Sequence, residues 1–353
     1  MTVRVNKSSF NIREKLSELE RPIGLKGSEL MRSETAQEAR ELFSAGRKNL
    51  IINGGFDVWQ RGTSTTNALA NEFGSADRWR FHTRTCTTRN ISRQSFTAGQ
   101  SDVPGNPVYF LRGEFSNNSG SPNGVYIMQR IEDVRVGAGQ FVTVSFYARV
   151  NSGGGTFYAA FSQQFGAGGS SAVDIVAGSF VPTSSWQKYS FTISLPSILG
   201  KTVGGASYLR LDIRFPANTA ATLDISQIQL ELGKNATEFE HRSYGEELAL
   251  CQRYYNRVGS GNLFHGRMNG TTIADYSYFY PVTMRIAPQG GSGFNTASAE
   301  YGAIGLTVTN VAVNDTGTHS ATIRGYFSNS GTSGYGAYLK LTGTTYVEFN
   351  AEL

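Results

Sequence analysis

The feature that most constrains this chain is a repeated alternation of apolar and polar residues. The clearest example is residues 208–215, which read YLRLDIRF and place an apolar side chain at every second position. A period of two is typical of a β-strand with one side in a core and the other in water. About ten such segments between residues 49 and 242 predict a sandwich of two antiparallel sheets.

The composition agrees with short strands joined by tight turns. Charged residues are 17% of the chain, and there are 41 glycines, whereas about 25% charged residues is usual. We predict a mainly β protein of four parts. They are a short helical N-terminal segment (1–48), a β-sandwich (49–242), a linking helix (243–258) and a small C-terminal β-sandwich (259–353).

The N-terminal segment is predicted to be helical from its caps and stops. A first short helix ends at Pro22, and a second begins at a capping box formed by Thr35 and Glu38. Residues 1–50 hold 10 Lys/Arg and 7 Asp/Glu, and neither helix has enough apolar area to fold alone. The segment is therefore either a flexible tail or an element ordered by partner subunits or by a docking protein.

A second capping box, Ser243 with Glu246, opens the linking helix, and apolar residues continue at near-helical spacing to Val258. Residues 258–353 carry only nine charged residues but 13 Phe/Tyr. Such a surface is ill suited to an isolated subunit, which predicts a homotrimer. Alternation in this region predicts strands near residues 272–280, 303–313, 319–327, 335–341 and 344–350.

The distribution of charge and of apolar residues argues against nucleic acid and membrane as partners. The formal net charge is +5, and no Lys/Arg run exceeds Arg47-Lys48, so a nucleic-acid interface is not expected. No secretory leader is recognisable, and no apolar run approaches the ~18 residues that cross a bilayer, so membrane insertion is not expected. Cys86 and Cys251 are predicted to be buried free thiols of a protein folded in a cytoplasm.

Several short motifs resemble a domain found in tail fibre and other tail proteins of bacteriophages and prophages. The opening motifs are residues 49–56 (NLIINGGF), 60–63 (QRGT) and 76–79 (ADRW), and the closing ones are 229–233 (QLELG) and 239–243 (FEHRS). The preceding residues resemble the N-termini of fibre-like proteins from phages of cyanobacteria. The resemblance implies a structural protein of the virion tail, assembled in the host cytoplasm. Its N-terminal segment would dock on tail or baseplate proteins, and the protein would contact host-surface polysaccharide.

The predicted sandwich is also similar to the jelly-roll carbohydrate-binding modules attached to glycosidases. The shared features are an Asn-Gly-x-Phe opening at residues 53–56, the strand at 184–189 (SSWQKY) and a Leu-Asp-Ile strand at 223–225. The resemblance implies a jelly-roll fold and, in several such modules, a structural calcium ion. Asp57 and Asp224 stand at the matching positions; the alternative is that no ion is bound, and no other cofactor is expected.

Tryptophans are common sugar platforms because a flat ring stacks on the C–H face of a pyranose. In this chain Trp59, Trp79 and Trp186 are instead predicted to lie in the core. Rings, guanidinium forks and a carboxylate on the outward side of the sandwich suit a hydroxyl-rich ligand better. The alternative for these side chains is a solvated sheet face or a subunit interface. The predicted glycan-binding residues of the sandwich are Tyr126, Arg130, Tyr147, Arg149, Tyr158, Arg210, Asp212 and Arg214.

A second candidate lies in the C-terminal region, where Tyr276, Tyr278 and Tyr280 fall on one side of a predicted strand and Phe279 on the other. An exposed row of tyrosines would be a glycan platform. A row buried between subunits would instead hold a trimer together.

Catalysis has little support in the sequence. The four histidines show no metal-ligand spacing, and acids are scarce on the predicted strands, although a glycosidase pair such as Asp212 with Asp224 stays open. We therefore expect a non-enzymatic tail fibre protein that attaches to a host-surface glycan. The alternatives are a tail adaptor or decoration protein without receptor binding, and a tail spike that degrades polysaccharide.

Overall fold

The computed structural model describes residues 48–66, 73–83, 86, 88–116, 124–302 and 304–353. The helices predicted before residue 48 lie outside this part of the chain. From Asn49 to Leu353 the chain forms one compact unit. No helix among the described residues is long and apolar enough to cross a membrane.

Eleven strands build the jelly-roll β-sandwich, and every pair is antiparallel. The six-stranded sheet has the order β1-β3-β4-β11-β6-β9, and the five-stranded sheet has the order β2-β5-β10-β7-β8. The strands are β1 (Ser64–Thr65), β2 (Arg80–Thr83), β3 (Arg89–Ser95), β4 (Tyr109–Phe115), β5 (Val125–Glu132), β6 (Phe141–Gly153), β7 (Phe157–Gln164), β8 (Val173–Phe180), β9 (Gln187–Ser194), β10 (Tyr208–Arg214) and β11 (Ala221–Leu232).

The alternation in the sequence becomes the division between core and surface. In β10 the apolar residues Leu209, Leu211 and Ile213 are completely buried between the sheets, and Phe215 follows them. Burying each such side chain stabilises the fold by about 1.5–3 kcal/mol. The predicted mainly β fold with a jelly-roll sandwich is confirmed.

The linking helix α1 (Tyr244–Gln252) begins as predicted, because the Ser243 side chain accepts a hydrogen bond from the Glu246 amide. It ends earlier than the predicted Val258. Beyond Arg253 the chain turns extended and forms β12 (Tyr255–Val258), which pairs with the last strand of the chain. The apolar spacing that continued the helix in the sequence is therefore explained by tertiary pairing, which overrides local preference.

The C-terminal region differs from the predicted small sandwich. Six of its strands form a closed barrel in the order β13-β14-β18-β17-β16-β19, and β12, β20 and β15 form a separate three-stranded sheet. The five predicted strands are present, but β12, β13, β15 and β16 were not predicted. The strands are β13 (Leu263–Met268), β14 (Ile273–Phe279), β15 (Gln289–Gly293), β16 (Thr296–Tyr301), β17 (Ile304–Thr316), β18 (Ser320–Phe327), β19 (Gly336–Thr342) and β20 (Tyr346–Asn350).

Barrel closure has a local cause in β17. This 13-residue strand shifts its register against β18 twice, and such bulges bend a strand. Alternation reports only which side of a strand is buried, and it is the same in a barrel and in a sandwich. The difference between the two was therefore not visible in the sequence.

Buried charges join the sandwich to the barrel region. Arg78 is 2% exposed and pairs with Glu352, which is 3% exposed, while its guanidinium lies 3.5 Å from the centre of the Tyr254 ring. Arg61 also reaches Glu352, and its guanidinium lies 3.4 Å from the centre of the Tyr255 ring. The two hydrophobic cores are thus joined by desolvated ion pairs and cation–π contacts.

We expect Arg78→Met to destabilise the unit strongly, because Glu352 would lose its closest cation while remaining buried. Breaking a buried pair in this way costs about 3–5 kcal/mol, with Arg61 offsetting part of the loss. The free energy of unfolding in urea measures the effect. Arg135→Met is the matched control, since Arg135 pairs with Asp133 on the surface and such pairs contribute little. Equal costs for both variants would contradict the prediction.

Candidate functional site

The structure separates the eight predicted sandwich residues onto two opposite surfaces. Strand register places β10 between β5 and β7, with Arg210 opposite Arg130 and Arg214 opposite both Tyr126 and Tyr158. Tyr147 and Arg149 lie on β6 of the other sheet. We call the outward side of the five-stranded sheet the Asp212 face; its predicted members are Tyr126, Arg130, Tyr158, Arg210, Asp212 and Arg214. The outward side of the six-stranded sheet is called the Trp186 face.

A carboxylate organises the Asp212 face. Asp212 is completely buried, and its two oxygens accept hydrogen bonds from Arg210 at 2.7 and 2.9 Å. Arg214 donates a further bond at 3.1 Å. Charge-assisted bonds of this kind hold both guanidinium groups in fixed orientations.

Aromatic rings surround these arginines. The rings of His82 and Tyr126 stack with centroids 4.5 Å apart, and the Arg210 guanidinium lies 5.2 Å from the Tyr126 ring. Arg130 lies 4.5 Å from the Tyr208 ring, but it also donates to the Leu353 carbonyl at 2.6 Å, which makes it part of the junction. His82 and Tyr208 were not predicted, although the alternation of their own strands places both on this side.

The Trp186 face carries a second arginine–carboxylate group. Register aligns Arg112, Asp224 and Arg149 across three neighbouring strands. Asp224 is completely buried and accepts from Arg112 at 2.7 and 2.9 Å and from Arg149 at 2.9 Å. Bonding to Asp224 is the main cause that raises the pKa of the Arg112 guanidinium.

The predicted core positions of the tryptophans are confirmed for two of the three. Trp59 and Trp79 belong to the sandwich core. Trp186 is only half-buried, and its ring centroid lies 5.2 Å from those of Phe96 and Phe110 on the outward side. The inward residues of β9 have odd numbers (Tyr189, Phe191, Ile193). Trp186 directly precedes this strand and has an even number, so its side chain points outward.

The two acids predicted to bind calcium, Asp57 and Asp224, have different charged neighbours. Both Asp224 oxygens are bound by arginines, whereas the electrostatic neighbour of Asp57 is Glu247. The described residues contain no group of three or more His, Cys, Asp or Glu side chains suited to a metal ion. A calcium ion held by Asp57 and Asp224 is therefore not supported by this geometry.

The pair Asp212 and Asp224 is also unsuited to glycoside hydrolysis. The two carboxylates lie on opposite outward faces of the sandwich, and each is held by two arginines. A glycosidase needs its two carboxyl groups on either side of one bond, separated by about 5–10 Å. This pair cannot meet that requirement.

The tyrosine row of the C-terminal region is neither a platform nor a subunit interface. Tyr276 is completely buried inside the barrel region and Tyr280 is nearly so. Tyr278 stacks on Phe349 with centroids 5.3 Å apart, and its hydroxyl accepts from Asn256. The side of β14 that carries the row faces inward because the barrel is closed, whereas Phe279 points outward and is 73% exposed. Both predictions for these tyrosines, a glycan platform and a subunit interface, are therefore wrong.

Comparisons with known proteins show distant likenesses only. No protein-family model and no curated protein matches the chain. Among solved structures, a family 4 carbohydrate-binding module is 15% identical, covering 51% of this chain and 98% of its own (TM-score 0.33). A xylan-binding domain from Paenibacillus barcinonensis is 12% identical, covering 54% and 100% (TM-score 0.32). The enzymatically active domain of a bacteriophage CBA120 tailspike is 11% identical, covering 52% and 21% (TM-score 0.30). Likenesses this distant establish nothing about what this chain binds.

We expect Asp57→Asn to stabilise the protein at pH 7 and to leave it nearly unchanged at pH 4. Burial, with the nearby Glu247, raises the pKa of Asp57 from 3.8 to about 6. The folded state therefore binds the proton more tightly than the unfolded state, so this group's contribution to stability is complete below pH 4 and is lost as the pH rises through about 6.

The gain at pH 7 should be about 1–2 kcal/mol, which is less than the full shift implies because Asp57 is partly exposed. Urea unfolding at pH 4, 5, 6 and 7 measures it. Asp102→Asn, at an exposed carboxylate, is the control. A gain that is equal at pH 4 and pH 7 would show that desolvation of the charge is not its cause.

Proposed function

We propose that this protein is a bacteriophage tail fibre protein that binds a host-surface glycan without cleaving it. The observation that carries the proposal is the Asp212 face. There, two arginines fixed by one buried carboxylate share the outward side of the sheet with the rings of Tyr126, Tyr158 and Tyr208. Fixed donors next to apolar ring surfaces are what an extended, hydroxyl-rich chain requires.

The same face suggests how strongly a glycan would bind. Its arginines and Asp212 satisfy one another, so a sugar would bond only to their remaining donors and stack on half-buried rings. Each subunit would then bind weakly. Several copies held on one virion would bind together at high effective concentration, which raises avidity by ~10²–10⁴.

The tail role rests on the motifs of the opening and closing segments and on the highly charged residues 1–48. We propose that these residues dock the protein on tail or baseplate proteins, so that the sandwich and barrel project from the virion. The ion-paired state of Asp212 and Asp224 supports binding without cleavage.

One observation favours a second function, that of an adaptor or decoration protein. Both oxygens of Asp212 are bonded to Arg210 and Arg214 within the chain, and a buried carboxylate bonded in this way stabilises a sheet without any ligand. Binding measurements on the whole protein separate the two functions.

The proposal also includes a trimer, which is now inferred from exposed apolar side chains and not from the number of Phe and Tyr residues. Most Phe and Tyr residues whose number suggested subunit contacts are inside the barrel region. Two of the exposed apolar side chains are Phe279 and Leu263, which are 73% and 49% exposed on the neighbouring strands β14 and β13. Exposed apolar side chains that lie close together commonly mark a protein interface.

Replacing Tyr158 and Tyr208 together by alanine should weaken glycan binding by about tenfold or more, because two stacking surfaces of the Asp212 face are lost. A glycan array of the wild-type protein identifies the polysaccharide, and affinity electrophoresis in that polysaccharide measures both proteins. Tyr335→Ala, at an exposed barrel tyrosine, is the control. No binding by the wild type would favour the adaptor function, and release of reducing sugar would favour a degrading spike.

The full chain should have a trimer mass in light scattering, and Phe279→Asp should convert it to a folded monomer, because a charge would be placed in an apolar contact. Tyr335→Asp, at another exposed aromatic residue, should stay trimeric. A wild-type monomer at micromolar concentration would refute the trimer. A trimeric Phe279→Asp variant would place the interface elsewhere.

A further inference from the structure

Trp186 differs from the other tryptophans in its hydrogen bonding as well as its burial. The indole N–H of Trp59 donates to the Phe56 carbonyl, and that of Trp79 donates to the Asn53 carbonyl at 2.9 Å. In the described part of the chain, the Trp186 N–H donates to no protein group. Buried indole N–H groups usually find a partner, so a half-buried indole that keeps its donor unused is available to an external acceptor.

Arg149 stands beside this indole with unused donors of its own. Its guanidinium lies 5.0 Å from the centre of the Trp186 ring and 5.6 Å from that of Phe110. The Nε group donates to Asp224, but the Nη groups donate to no acceptor within the described residues. The side chain is 30% exposed. One edge of the fork is thus fixed by Asp224, and the other is open.

The arginine–carboxylate group of this face carries a net positive charge. Arg112 and Arg149 share the single carboxylate of Asp224, which leaves one net positive charge among these three side chains. An arginine fork held in a fixed orientation matches a carboxylate in geometry and charge. The adjoining indole matches the apolar face of a pyranose.

We infer that the Trp186 face is a second binding site, for a sugar unit that carries a carboxylate, such as a hexuronic acid. The pyranose ring stacks on Trp186, and the carboxylate accepts from the open edge of Arg149. Tyr147, two residues before Arg149 on the same side of β6, extends the surface along the strand. Only the class of ligand rests on the proposed function, because the site lies on the opposite face from Asp212.

A protein partner is the other occupant to consider for an aromatic patch. The apolar area here is small: it consists of the half-buried indole, the flanking Phe96 and the exposed Val108 opposite Phe96, and it borders the charged side chains of Arg112 and Arg149. Protein interfaces bury about 800 Å² on each partner. One indole beside an open guanidinium fork is matched in size and polarity to one sugar unit.

The test uses the intrinsic fluorescence of the full chain, since Trp186 is the tryptophan that external molecules can reach. The probes are polygalacturonate, alginate and hyaluronate, each beside its carboxyl-reduced form, which keeps the rings and removes the charge. We expect at least one acidic polymer to change the emission and to protect it from acrylamide quenching. Its reduced form should bind at least about tenfold more weakly.

Three variants locate the effect. Trp186→Phe should abolish the fluorescence change, and Arg149→Gln should weaken binding by about tenfold while Arg112 still pairs with Asp224. Tyr335→Ala, at an exposed tyrosine outside both faces, should respond as the wild type does. The inference is overturned by a wild type that responds to none of the acidic polymers, by equal binding of reduced polymers, or by an unchanged response in Arg149→Gln. Retained binding of another glycan in the wild type would show that the Asp212 face still functions and that only this inference fails.

Discussion

Two antiparallel sheets packed face to face leave each strand of the sandwich with one side in the core and one side outward. The rest of the molecule's surface chemistry depends on this constraint. Leu209, Leu211 and Ile213 fill the core from β10, and the same strand must therefore present Arg210 and Asp212 outward. On the opposite sheet, β11 buries Leu223 and Ile225 and turns Asp224 outward. Asp212 and Asp224 thus lie on the outer sides of the two sheets, but neighbouring side chains cover them. Arginines of the same sheet bind both carboxylates.

The sequence predicted best which residues of each strand face the core and which face outward. It placed all eight sandwich candidates on outward sides correctly, including Tyr126 and Arg149. It could not say which sheet a strand would join, because that depends on pairing between residues such as Arg149 and Asp224, which are 75 positions apart. Trp186 is a different case: the alternation of β9 places it outward, whereas the motif at residues 184–189 predicts a core position.

Closure of the barrel explains why the C-terminal region was less predictable. Strand periodicity is the same for Tyr276 at a subunit interface, on an open face or inside a barrel. Only the pairing of β19 with both β13 and β16 closes the sheet and turns that side inward. Once closed, the barrel region contains its own aromatic core, so a low content of charged residues does not by itself imply subunit contacts.

The buried pairing of Arg78 with Glu352 has a mechanical consequence. Glu352 follows the last strand β20, and β20 pairs with β12 immediately after the linking helix. A force applied to the barrel is therefore passed to the sandwich through a strand pair and desolvated charges, without an intervening flexible tether. The sandwich and the barrel region should therefore move as one rigid body. A pull at one end then reorients both outward faces of the sandwich together.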